Sequence, residues 1–157
     1  FGFLISLKYK NKFVLGLVDQ PILNERYWNS LNNSYLNGKK ISSSKITKLS
    51  ETIIASTDPN MFESFFDLNK HLFKKVKFVR WGTDVIGYLR CAEGLIDAVI
   101  ERNIKIWDVA AVVPIIKKAG GIITTWDGKP IGANDTVCAS SNRTLHKILL
   151  KKLQKFL

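Results

Sequence analysis

A chain of 157 residues with 46% hydrophobic residues and a mean hydropathy near zero can bury one good core, which excludes an intrinsically disordered segment. Its net charge of +11 comes from lysines scattered through loops and exposed faces, without interleaved aromatics. That implies a general attraction for anions and argues against a nucleic-acid partner.

The chain opens at Phe1 inside an apolar alternating pattern with no cap or turn before it, as a piece of a longer protein would. Phe1 to Lys8 and Phe13 to Val18 read as two strands joined by a hairpin at Lys10-Asn11-Lys12, and Asp19-Gln20-Pro21 ends the second. Glu25 to Trp28 is a third strand, with turn signals at Asn32-Asn33 and Asn37-Gly38. Residues 1 to 45 thus read as the edge of an antiparallel sheet. The polar segment Lys39 to Leu49 reads as a linker into a second unit, residues 46 to 157.

From there strand and helix alternate. Thr52 to Ser56 reads as a strand, Asp58-Pro59 as a helix start, and Met61, Phe62, Phe65, Phe66, Leu68, Leu72 and Phe73 as one apolar helical face. Val76 to Val79 is a strand, Asp84 to Glu93 a helix stopped by Gly94, and Ile96 to Ile100 a strand ending near Glu101. Val109 to Ile116 is apolar on every side and demands full burial; Pro114 should remove the bond to Ala110 and bend the helix. Ile122 to Trp126 and Thr136 to Ser140 are strands, Asp127-Gly128 a hairpin-type turn, and the last helix puts Leu145, Ile148, Leu149, Leu153 and Phe156 on one face. The fold class is α/β, with a mixed or largely parallel sheet after Thr52. No apolar run reaches the roughly 18 residues of a membrane span, so a cytoplasmic protein with no membrane partner is expected. Cys91 and Cys138 are widely separated and read as reduced core thiols.

Loops at the carboxyl ends of strands form the binding crevice of α/β sheets. Two fit: Arg80-Trp81-Gly82-Thr83-Asp84, where glycine admits backbone N–H groups to a ligand, and Glu101 to Asp108. Each has a plainer reading, with Thr83 or Asp84 as an N-cap and Glu101 as a solvated charge. Asp108 reads either as a helix N-cap, the commoner outcome for an aspartate in that place, or as a ligand for a hard cation such as Mg²⁺. His71 and His146 lie in helical patterns among lysines with no Ser or Cys elbow nearby, so a hydrolase triad is not expected.

Trp107-Asp108-Val109-Ala110-Ala111 followed by Ala119-Gly120-Gly121 resembles the C-terminal signature of the inositol monophosphatase family of Mg²⁺-dependent, lithium-sensitive phosphatases. Gly82-Thr83, Glu101 and Asp108 fall in that family's order and spacing. Asp19-Gln20-Pro21-Ile22-Leu23 with Glu25-Arg26, Thr57-Asp58-Pro59-Asn60-Met61-Phe62, and Arg80 to Asp84 with Tyr88 are similar to its histidinol-phosphatase branch, which acts in histidine biosynthesis.

The resemblance implies a layered αβαβα sandwich in which Asp108 coordinates a catalytic Mg²⁺. It places Gly82 and Thr83 at the substrate and lets Glu101 and Asp84 contact substrate hydroxyl or amine groups. It implies a small phosphorylated metabolite as partner, histidinol phosphate foremost, with inositol phosphates or adenosine bisphosphates as alternatives, and a homodimer. The family's remaining metal ligands, in an Asp-Pro-Ile-Asp-Gly-Thr motif and an upstream Glu, have no counterpart here, so this chain alone is expected to be inactive. The reading from another class is a non-catalytic basic module that binds anions.

Overall fold

The structure, a computed structural model, describes residues 2–157. Its first sheet is an antiparallel meander of β1 (Phe3–Tyr9), β2 (Lys12–Gln20), β3 (Glu25–Asn29), β4 (Ser34–Leu36) and β5 (Lys39–Ile41), each paired with the next. The β1–β2 turn holds Lys10 and Asn11 at φ of 44° and 60°, the left-handed pair that a two-residue hairpin requires. β4 and β5 escape the sequence reading because three residues are too few to show alternation.

The stretch taken as a linker is therefore part strand, and its remainder is pinned. The Ser43 hydroxyl donates to the carbonyls of Ala119 (3.2 Å) and Ser141 (2.7 Å), and that of Ser44 donates to the buried Asp97 carboxylate.

The second sheet holds β6 (Ile53–Ala55), β7 (Phe78–Arg80), β8 (Ala98–Glu101), β9 (Ile122–Thr124) and β10 (Val137–Ser140) in the order β7-β6-β8-β10-β9. β6 runs parallel to β7 and β8, whereas β10 is antiparallel to β8 and β9, so the sheet is mixed. The helices are α1 (Phe65–His71), α2 (Asp84–Glu93), α3 (Ile106–Val109), α4 (Val112–Lys118) and α5 (Arg143–Leu153).

Period-two alternation divides the second sheet between two cores. Ala55, Val99 and Ala139 face a cluster built with α2, α4 and the inner side of the first sheet, including Val18 and Tyr27. Ile54, Ala98, Ile100 and Cys138 face the other way, onto Leu68 of α1 and Leu145, Leu149 and Leu153 of α5. The layers therefore run sheet, helices, sheet, helices. Both cysteines are buried and free.

The apolar run after Trp107 is buried as its composition demands, Val112 to Ile116 without exception. It is not one helix, however. Pro114 has no N–H for the Ala110 carbonyl, the run divides into α3 and α4 at that point, and the Ser6 hydroxyl of β1 donates to the orphaned oxygen at 3.1 Å. Across the same interface Ser34 donates to the Ile115 carbonyl at 2.6 Å, and a Cβ on Gly16 would lie 1.9 Å from the Ala111 oxygen. The sheet and helix backbones touch there, and only glycine fits.

Two further expectations change. Met61 to Phe73 is not one helix: a 3₁₀ turn at Pro59–Met61, started by Asp58 accepting the Asn60 N–H at 2.8 Å, precedes α1, and a second at Phe73–Lys75 follows it. Phe66 consequently faces solvent. The turn at Asp127-Gly128 exists, closed by Gly128 N–H to the Thr125 carbonyl at 3.0 Å, but a longer loop separates it from β10, so it does not join two strands directly. Among the described residues no helix is long and apolar enough to cross a membrane.

Candidate active site

Because β7 and β8 both run parallel to β6, three loops leave the same end of the sheet: Ser56-Thr57-Asp58 after β6, Trp81-Gly82-Thr83 after β7 and the segment after Glu101 of β8. The sequence points to the outer two. The structure inserts β6 between them, and with it Thr57.

Thr57 ties the three loops together. Its carbonyl accepts the Gly82 N–H at 2.8 Å and its hydroxyl donates to Glu101 Oε1. The Tyr88 hydroxyl, from α2, donates to Oε2. Glu101 is thus only 2% exposed, with both oxygens engaged, and not the solvated charge that a strand-end acid usually is. Burial holds its carboxyl above the ordinary range, the two hydroxyls pull the other way, and the charges of Asp84 and Asp108 add to the rise. The same surroundings, burial foremost, push the Tyr88 phenol well above its usual range.

Gly82 takes φ of 74° with open space around it, so backbone conformation and not crowding selects glycine. Thr83 is the N-cap residue of α2, but its side chain turns inward: it is buried, and its hydroxyl reaches the Ser56 carbonyl at 3.4 Å. Asp84 is exposed and has φ of 42°, an uncommon value for a non-glycine residue at the head of a helix. Gly87, one turn on, lets α2 lie close to β6, since a Cβ there would stand 3.1 Å from the Ala55 Cβ as well as 2.6 Å from the Thr83 hydroxyl.

Asp108 is not an N-cap. Lys105 occupies that place, and Asp108 at the third helical position accepts the Lys105 N–H through Oδ2 at 3.0 Å. The carboxylate is exposed, as is Trp107 at 70%, and among the described residues no donor reaches Oδ1. A carboxylate fixed through one oxygen with the other open suits a single ligand position on a hard cation. Among the described residues no three His, Cys, Asp or Glu side chains converge to hold an ion, so these residues fit one corner of such a site and not a whole one.

A Ser–His contact does exist, away from these loops. His146 Nδ1 lies 2.8 Å from Ser140 Oγ and Nε2 lies 2.9 Å from Thr124 Oγ1. Its partners come from β10, six residues before it, and from the more distant β9. The ring is 5% exposed, burial lowers its pKa to about 4, and the pair is enclosed between α5 and the second sheet.

A model of the inositol monophosphatase family matches residues 1–157. The chain belongs to that family. Its members are phosphatases and are metal-dependent, typically on Mg²⁺. The chain is 38% identical over 166 residues to a chloroplastic bifunctional phosphatase, IMPL2, of Arabidopsis thaliana, covering 98% of this chain and 48% of that protein. It is 30% identical over 154 residues to a histidinol-phosphatase of Streptomyces coelicolor, covering 90% and 56%. An inositol monophosphatase from Zymomonas mobilis superposes with a TM-score of 0.91 at 29% identity, over 98% of this chain and 62% of that one. The chain thus spans about half the length of the curated relatives it matches.

Proposed function

We propose that this chain is part of a Mg²⁺-dependent phosphatase that hydrolyses a small phosphate monoester, with histidinol phosphate as the foremost substrate. The observation that carries the reading is that three strand-end loops leave one end of the second sheet and are tied by Thr57 to the buried Glu101, in a chain that matches a phosphatase family from end to end. The 30% identity to a histidinol-phosphatase supports the substrate.

Asp108 offers its free oxygen to the metal, and the Lys105 N–H fixes the other. When bound with its full ligand set, the metal supplies charge stabilisation and an activated water. Gly82, at positive φ, leads the chain into the head of α2, where a phosphate is favoured. Thr83 and Glu101 lie beneath, Glu101 holding the loops through Thr57 and Tyr88, and exposed Asp84 faces the polar part of the substrate. Among the described residues no three carboxylates are grouped to hold Mg²⁺, and on this reading the chain alone is inactive.

The test is an assay of the protein lengthened to the full span of its relatives, with Mg²⁺ and either histidinol phosphate or inositol phosphate. Asp108→Asn should lower kcat/KM by about 100-fold or more, the few kcal/mol expected of a metal ligand at the reacting phosphate. Full activity in that variant refutes the assignment of Asp108, and a preference for inositol phosphate refutes the substrate.

A further inference from the structure

Away from the three loops, a cavity of about 320 Å³ opens between α1 and α5, lined by His71, Lys75, Ile148, Lys151, Lys152 and Lys155. It lies in the outer helical layer, behind the second sheet from α2 and α4. Lys75 precedes the start of β7, the end of that strand opposite Gly82. Four lysines and a histidine thus line one concavity, and among the described residues no carboxylate forms an ion pair with any of the four lysines.

The simpler account is that lysines in the last turn of a helix complement its dipole and are otherwise solvated. That account covers Lys151 and Lys152 on α5. It does not explain why Lys75, from a separate turn, and Lys155 are brought to the same cavity, where like charges repel. The Lys152 ammonium makes only a long contact, 3.4 Å, to the His71 carbonyl. Burial and the neighbouring Lys75, Lys155 and Lys151 all push its pKa down, so an incoming anion would relieve an unfavourable arrangement.

The volume suits a small molecule and not an extended polymer. The lining supplies ammonium donors and, in Ile148, one apolar wall, with no acceptor side chain beyond the His71 ring. Such a set recognises a compact ligand of several negative charges.

We propose that the cavity between α1 and α5 binds a small oligophosphate anion through Lys75, Lys151, Lys152 and Lys155, at a site separate from the candidate active site. The proposal does not rest on the phosphatase reading.

Calorimetric titration of the chain with inorganic tripolyphosphate at physiological salt tests it. Saturable binding is expected, weakened about tenfold or more in Lys75→Gln/Lys152→Gln through the loss of charge-assisted hydrogen bonds. A control pair at equal charge cost, Lys39→Gln/Lys40→Gln on exposed β5, should leave the affinity unchanged. ATP separates the two sources of a triphosphate: equal affinity assigns recognition to the phosphates alone, tighter binding adds a nucleoside contact, and both support the site. Absence of saturable binding, or equal weakening by the control pair, overturns it in favour of attraction to net charge.

Discussion

Glu101 is the residue on which the three loops depend, and its environment determines what a mutation does. A buried carboxylate that loses one of its donors keeps its desolvation penalty and recovers nothing. Tyr88→Phe removes one donor without changing the packed volume, and should destabilise the chain by about 1–3 kcal/mol, seen as a lower denaturation midpoint at unchanged m-value. A Tyr88→Phe variant as stable as the parent would mean that the hydroxyl does not carry the carboxylate. The position of Glu101 could be read from the sequence as a strand end, but its burial could not. Its donors come from positions 57 and 88, and only the strand order brings them together. Thr57 had a signal that went unused: it follows a strand parallel to its neighbours, so the strand-end rule applies to it as much as to Thr83.

At the scale of elements, α5 is held to the second sheet by an apolar stripe and by one polar bond pair, His146 between Ser140 and Thr124. Burial lowers the imidazole from 6.5 to about 4. The folded state therefore holds His146 neutral where the unfolded chain would already bind a proton. Its contribution is complete above about pH 6.5 and is lost as pH falls toward 4, amounting at most to about 3 kcal/mol by linkage. Denaturation midpoints should fall across that window, and His146→Gln should flatten the slope; an unchanged slope would assign the loss to other groups.

The elements most legible in the sequence were those with many residues per period, such as α2 with its Gly94 stop and the buried run before Gly120. Those that were missed have physical reasons. β4 and β5 are short, α1 is shortened by two 3₁₀ turns that keep helical spacing without helical continuity, and the α3–α4 division needed the orphaned Ala110 carbonyl to find a partner on β1.

On the scale of the whole molecule, the first sheet is apolar on both faces but covered on one. Leu4 of β1 packs inward and Ser6 bonds the helix layer, whereas Phe3, Ile5 and Leu7 alternate outward and are exposed. Ile5 and Leu7, with Leu15, Leu17 and Trp28, line a cavity of about 680 Å³, and Trp28 stacks on Tyr35 at 5.6 Å. A contiguous surface of that kind marks an interface, and a sheet apolar on both sides needs a layer on each. The chain superposes on a phosphatase of which it covers 62%, and we propose that further polypeptide of such a fold covers this face. The isolated chain should then bind an apolar fluorescent dye and self-associate, and Ile5→Lys/Leu15→Lys should reduce both while the circular dichroism spectrum is retained. Lengthening the polypeptide to the span of its relatives should abolish dye binding without any substitution. If the lengthened protein still binds dye at this face, the cover is supplied by something else; a discrete dimer dissociated by the two lysines would identify a second copy.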